Sequence, residues 1–274
     1  MKRSLPLIAL LAVLAACATV RTTQPGVVGV DREQTMIASA AAVNRQAGDA
    51  YRQTLQQAQK QGKLNRDPAQ VARVRAIADR LIAATRSFRA DAPAWQWEVN
   101  VLTAKDVNAW CMPGGKIAVY TGLLEKIRPT DDELAAVIGH EIAHALREHG
   151  REKAGQAMGV GMAAAIGGAL VGSRYGIDPS LGENVLGTVG DLAFMRPNSR
   201  EMEQEADRIG VELAARAGYD PYAAIGLWEK MRQVSDGGPP QWLSTHPSHA
   251  TRIGDLKTSA DRVAPLYRPG TPRR

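Results

Sequence analysis

Apolar side chains recur at three- and four-residue steps from Pro68 to about Arg89, where Val71, Val74, Ala78, Leu81, Thr85 and Phe88 fall on one stripe. That period predicts an amphipathic helix packed on a core. Residues 34–64, rich in Ala and Gln, predict another helix, without a chemical motif. From Trp95 the pattern changes: Trp95, Trp97, Val99 and Val101 alternate with Gln96, Glu98 and Asn100, as in a half-buried strand. A second apolar run ending at Tyr120 follows the Pro113-Gly-Gly turn, so a small antiparallel sheet is expected. The helical period returns over Glu133–His149, from Ser199 to the stop at Gly218, after Asp220-Pro221, and over 249–264. The predicted fold class is therefore mainly α with a small antiparallel β-sheet (α+β). A single domain over residues 34–264 fits the length.

The two ends read differently. Met1-Lys2-Arg3 is a basic start, and Leu5 to Ala16 is an apolar run too short to span a bilayer, the form of an export signal over residues 1–16. Leu14-Ala15-Ala16-Cys17 has the form of a bacterial lipobox, in which the Cys17 thiol accepts a diacylglycerol; an ordinary secretory cleavage is the alternative. Such a lipid anchors the chain to a membrane without spanning it. Ala18 in place of Asp resembles lipoproteins sorted to the outer membrane. Pro25, Gly26 and Gly29 among short polar residues make 17–33 a tether, and residues 265–274 a flexible basic tail.

Charge excludes one class of partner. The formal net charge of +6 falls to about +4 once Lys2 and Arg3 are removed, and no basic run is interleaved with aromatics. Nucleic-acid binding is disfavoured, whereas Arg268, Arg273 and Arg274 can touch anionic lipid. With Cys17 acylated, Cys111 is the sole remaining thiol and reads as a small hydrophobe. Residues 154–173 carry no large apolar density despite their low charge, so a tightly packed helix or lid is preferred there to a membrane span. The Gly-rich 173–197 passage reads as a loop able to gate a cleft.

The chemistry is concentrated in Glu133-Leu-Ala-Ala-Val-Ile-Gly-His140-Glu141-Ile-Ala-His144. On a helix, His140 and His144 rise from one face on successive turns and can grip one ion, and Glu141 lies about 100° round, within reach of a water there. Thr130-Asp-Asp-Glu133 supplies a capping box for that helix. A zinc site needs a third protein ligand. The extended metzincin signature would require Gly at 147 and His at 150, but the chain has Arg147 and Gly150. Glu203 and Asp207 share a helix face at i, i+4, which lets one bind the metal while the other orients a ligating histidine.

His140-Glu-Ile-Ala-His144 followed by Ser199-Arg-x-x-Glu203-x-x-Ala-Asp207 resembles the HtpX-like and CAAX-prenyl-protease family of gluzincin metallopeptidases. Asn108–Leu124 is similar to the segment preceding that family's zinc helix, and Leu243-Ser-Thr-His246-Pro to its C-terminal His-Pro segment, with a departure at Cys111 and Met112. The resemblance implies a zincin-like core and one Zn2+ per chain, held by His140, His144 and Glu203. It implies Glu141 as general base and Asp207 as a partner behind the ligands. His246 is implied either as an extra ligand or as a group serving the transition state.

The expected activity is zinc-dependent endopeptidase action on misfolded or unassembled envelope proteins, from the periplasmic face of a bacterial outer membrane. A chaperone or assembly scaffold that keeps the fold, and a hydrolase of cell-wall peptides, are the alternatives. For substrate, the strand Lys116, Ile117, Ala118, Val119 and Tyr120 is expected to offer a free edge to which an unfolded chain adds.

Overall fold

A computed structural model describes residues 19–159, 197–234, 241–246 and 251–269. The hub is helix α3 (Asp131–Leu146), in which every residue from Glu133 to Leu146 is buried. Its start is set locally: the Thr130 side chain accepts from the Glu133 amide while the Glu133 carboxylate accepts from the Thr130 amide, and three acids face the positive end of the helix. Before it in sequence lie α1 (Ala40–Lys60) and α2 (Pro68–Ala84); Asp67 caps α2 by accepting from the Ala69 and Gln70 amides, with Pro68 in the first turn. The predicted stripe of α2 is buried as expected, with Val74, Ala78 and Leu81 fully enclosed.

After α3 the chain is helical again over 149–159 (α4). Beyond the undescribed stretch come α5 (Arg200–Arg216), α6 (Ala223–Gln233), the short α7 (Gln241–Thr245) and α8 (Arg252–Val263). α5 crosses α3 and is covered by α8. Gly218, at φ +78°, ends the segment after α5 where a stop was expected. No helix among the described residues is long and apolar enough to cross a membrane. Most of the 154–173 and 173–197 segments lies outside the described residues, as do residues 1–18 with Cys17.

The three-stranded sheet differs from expectation. Strands β3 (Glu98–Leu102), β4 (Ala109–Met112) and β5 (Lys116–Tyr120) lie in the order β3-β5-β4, and β3 pairs parallel to β5 from Glu98↔Lys116 to Leu102↔Tyr120. The sheet is therefore mixed, and only the β4–β5 hairpin is antiparallel. Gly114 and Gly115, at φ +81° and +83°, close that hairpin, and β3 then joins the far side of β5. Lys116–Tyr120 is thus the central strand, hydrogen-bonded on both sides, and offers no free edge; the expectation that it receives substrate is overturned. Among the described residues, the strand next to the site with a neighbour on one side only is β4. Trp95 and Trp97 precede β3. Trp97 packs on the turn so closely that a Cβ at Gly115 would stand 2.6 Å from its ring, so its burial reflects packing on a turn and not a sheet face.

The supposed tether is also corrected. From Thr19 onward the chain is a strap on the domain: β1 (Thr19–Val20) pairs antiparallel with β2 (Gln34–Thr35), and Val28 and Val30 join the core. Gly26, at φ +63°, lies against Phe88 and Glu212, and the Val28 amide donates to Glu212 at 3.0 Å. Two valines carry no periodicity, and polar contacts hold most of the strap, which is why its pattern imitates a linker.

Candidate metal centre

α3 places His140 and His144 on successive turns with their Nε2 atoms 3.0 Å apart. α5 brings the Glu203 carboxylate across, one oxygen 3.5 Å from His140 Nε2 and the other 3.4 Å from His144 Nε2. His246, just after α7, completes a group in which the four ligand-capable atoms all lie within 4.8 Å of one another. All four residues are buried. They come from three parts of the chain, and the crossing of α3 and α5 brings Glu203 to the histidine pair.

One turn beyond Glu203, Asp207 accepts a hydrogen bond from His140 Nδ1 at 2.9 Å. A carboxylate only accepts, so Nδ1 carries a proton and Nε2 is the atom turned to Glu203, where a bound cation would take the place of a second ring proton. Burial opposes charge on His140, but its contacts with Asp207 and Glu203 outweigh this and raise its pKa to about 9. Burial likewise pushes Glu203 up, yet the bonds from His140 and His144 pull it well below the carboxylate range. His144 is held well below its ordinary value, chiefly by burial. The site thus carries ionised carboxylate at a point that favours a cation.

Glu141 stands beside that cluster and lines the cleft. Trp242 Nε1 donates to its Oε1 at 2.7 Å, and His246 Nε2 stands 3.5 Å from the same oxygen. The cleft, about 250 Å³, is walled by Asn108, Trp110 and Met112 on the β4 side and by Glu141, His144 and His246 on the other. Cys111 is half-buried in the same wall, and burial pushes its thiol well up, which keeps it protonated and unreactive.

Several residues here escaped the reading of the sequence. Arg252 of α8 is buried, donates to Glu203 at 3.1 Å and to Asp207 at 2.7 Å, and lies 3.6 Å over the Trp228 ring. It ties the carboxylate of the cluster to the one behind it. Asn198 donates to the other Glu203 oxygen at 2.8 Å and accepts from Lys153 Nζ at 2.7 Å. His149 bonds His144, Nδ1 to Nδ1, at 2.7 Å. His149 follows His144 by five residues, and that spacing was the available signal; Arg252 carried none for its role.

The donor set, two imidazoles and a carboxylate with a third imidazole alongside, fits zinc, which takes nitrogen and oxygen ligands in a tetrahedral site and keeps one position open for chemistry. Zinc is the cofactor of this centre, as expected from the sequence.

Comparison with known proteins points the same way. Residues 68–260 match the profile of Peptidase family M48. The chain is 38% identical over 179 residues to the mitochondrial metalloendopeptidase OMA1 of Bos taurus, covering 62% of this chain and 32% of that protein. It is 34% identical over 169 residues to metalloprotease LoiP of Escherichia coli strain K12, with 60% and 64% covered. It is 26% identical over 226 residues to the beta-barrel assembly-enhancing protease of Yersinia pestis, with 80% and 44% covered. The matched stretch spans about a third of the length of the mammalian mitochondrial relatives. The family match over residues 68–260 runs from the start of α2 into α8 and holds the whole residue cluster described above, so the chain belongs to peptidase family M48.

Proposed function

We propose that the protein is a zinc-dependent endopeptidase in which His140, His144 and Glu203 hold the ion and Glu141 is the general base. The observation that carries this reading is the convergence of those three donors beside a cleft into which Glu141 also reaches. The ion would supply Lewis acidity, lowering the pKa of a water and polarising the scissile carbonyl. Glu141 takes a proton from the attacking water and returns it to the leaving amine. Trp242 Nε1 fixes one of its oxygens, so the other is free to meet that proton. Asp207 keeps the His140 Nε2 lone pair pointed inward, and Arg252 keeps Glu203 and Asp207 in register.

Substrate binds, in this reading, as an extended polypeptide along the outer edge of β4, which borders the cleft and has β5 on its other side. Main-chain pairing gives affinity with little demand on sequence, and it admits unfolded chains while rejecting folded ones. The mostly apolar wall formed by Trp110 and Met112 supports that preference.

The place of action we propose is the bacterial envelope, with the chain anchored to the outer membrane through an acylated Cys17 and clearing misfolded or unassembled proteins. The lipobox supports it, as do the likenesses to LoiP and to a beta-barrel assembly-enhancing protease. The test is to express Glu141→Gln in the parent organism and identify, by mass spectrometry, the envelope proteins it retains. Enrichment of unfolded or unassembled envelope proteins supports the reading, and enrichment of peptidoglycan peptides or of nothing above an empty control overturns it. Mass spectrometry of the mature N-terminal peptide decides separately whether Cys17 is diacylated.

A further inference from the structure

Beside the metal cluster, four charged side chains and one histidine, which itself lines the cleft, form a network that the peptidase reading does not use. Glu205, on α5, accepts from Arg147 through Nε at 3.0 Å and Nη2 at 3.1 Å, and from Arg32 through Nε at 2.7 Å and Nη2 at 3.1 Å. Arg32, which belongs to the N-terminal strap, also donates to both oxygens of Glu152, at 2.6 and 2.9 Å. Gln34 Nε2 donates to Glu152 at 2.6 Å and to the Arg147 carbonyl at 2.7 Å. Two arginines and two glutamates balance in charge, as a buried network requires. A scaffold would need no more than that.

The fifth partner is His149. Its Nε2 lies 2.9 Å from Glu205 Oε2, and its Nδ1 lies 2.7 Å from His144 Nδ1. These two bonds in series settle where the protons are. Glu205 accepts two bonds from each of two guanidinium groups, Arg32 and Arg147, so it stands there as a carboxylate and can only accept. His149 Nε2 must therefore be the donor. With His144 Nε2 as the ligand atom, its ring proton sits on Nδ1, so in the Nδ1–Nδ1 contact His149 offers the lone pair. His144 Nδ1 must then donate to it, and the His144 lone pair is left on Nε2, the atom facing His140 and Glu203.

We propose that His149 and Glu205 form a directed hydrogen-bond chain that holds His144 in its metal-binding tautomer, with Arg147 and the strap residue Arg32 fixing the far end. This rests on the zinc reading of the same centre. His149 is a positioning residue: it lies outside the ligand group and acts on the ion through His144. The centre thus has two supports, Asp207 behind His140 and the longer chain behind His144, and the second passes through the N-terminal strap.

The test is zinc affinity by chelator competition on the full mature chain, with the melting temperature of the metal-stripped protein measured alongside. His149→Leu keeps the bulk and removes both bonds, and it should weaken zinc binding by about 10- to 100-fold, the usual cost of losing such a partner. His149→Gln, whose amide can accept from His144 and donate to Glu205, should recover most of that loss. Wild-type zinc affinity in folded His149→Leu overturns the proposal, as does an equal loss in His149→Gln. Should His149→Leu fail to fold, 15N NMR of the zinc-loaded wild type decides: a scalar coupling between His144 Nδ1 and His149 Nδ1, with His149 protonated at Nε2 only, is expected. A doubly protonated His149, or no proton on His144 Nδ1, overturns it. Failure of the wild type itself to bind zinc would instead defeat the reading of the centre, so the two failures are told apart.

Discussion

Gly210 of α5 lies against Gly139 of α3 so closely that a Cβ on Gly210 would stand 2.8 Å from the backbone nitrogen of His140. The contact is backbone on backbone and cannot be relieved by a side chain turning away. It sets the separation of the two helices, and with it the 3.4 and 3.5 Å gaps between Glu203 and the histidines. Gly210→Ala should therefore push α5 off α3 and weaken zinc binding by about tenfold or more, while costing about 1–3 kcal/mol of stability through overpacking. Gly139→Ala, whose Cβ would meet the Gly210 carbonyl oxygen at 3.0 Å, should be milder. Chelator competition and thermal unfolding measure the two effects, and unchanged zinc affinity in Gly210→Ala would show that the crossing tolerates more slack than its geometry implies.

The division of labour between Glu141 and Glu203 makes a second prediction. Glu141→Gln keeps the hydrogen bond from Trp242 Nε1 through its amide oxygen, so it should fold and bind zinc stoichiometrically yet lose proteolysis by several orders of magnitude. Glu203→Ala should lose the metal, because it removes the anionic donor between the two imidazoles. Metal analysis and a fluorogenic unfolded substrate separate the two. Full zinc in Glu203→Ala would mean that another carboxylate is the third ligand.

What the sequence made legible was the local part of this site. The α3 start was readable because a capping box is a four-residue signal, and the histidine pair because four residues make one helical turn. The spacing of Glu203 and Asp207 put them on one helix face, and the family resemblance assigned their roles. Strand order was not, since alternation tells which residues share a face and says nothing of which strand lies in the middle; hence the misplaced edge at Lys116–Tyr120. Arg252, His149 and Glu205 escaped for another reason: their meaning lies in partners 45 to 58 residues away, or in a second histidine a full turn past the motif. The strap was hidden by having only two core valines.

Arg252 is expected to behave as structure and site together. It donates to both Glu203 and Asp207 from within the core, and its removal would leave two buried carboxylates uncompensated. Arg252→Ala should cost about 3–5 kcal/mol, the range for breaking a buried ion pair, and release zinc. Arg252→Lys should rescue little, because an ammonium cannot reproduce two diverging bonds while its stem covers the Trp228 ring. Urea unfolding with zinc titration would check both, and a stable, zinc-replete Arg252→Lys would count against the fork geometry.

Acid stability follows from Glu205. Its folded pKa of about 2 lies below its ordinary 4.5, so it contributes stability that is fully present above about 4.5 and is lost as the pH falls toward 2. Glu203 and Glu152 are depressed as well and share the sign. Glu205→Gln should therefore flatten, without abolishing, the fall in unfolding free energy between about pH 5 and pH 3. Urea titrations across that range measure it, and a slope identical to the wild type would show that the ion pairs with Arg32 and Arg147 persist in the unfolded chain or count for nothing.

His246 decides how the centre rests. Its Nδ1 lies 3.1 Å from the Trp242 carbonyl oxygen and 3.0 Å from the Thr245 hydroxyl; donation to the carbonyl places the ring proton on Nδ1 and turns the Nε2 lone pair to the cluster. Burial holds His246 below its ordinary pKa, which opposes the doubly protonated form that an oxyanion donor would need. Geometry therefore favours His246 as a fourth ligand, one that occupies the position catalysis requires and must withdraw before turnover. On that account His246→Ala should raise proteolysis, and self-cleavage with it, while weakening zinc binding modestly. Loss of an oxyanion donor would act in the opposite direction and lower kcat by roughly a hundred-fold or more. Steady-state kinetics with metal analysis distinguishes the cases by sign alone, and wild-type zinc content with wild-type turnover in His246→Ala would leave the residue as the end of α7 and nothing more.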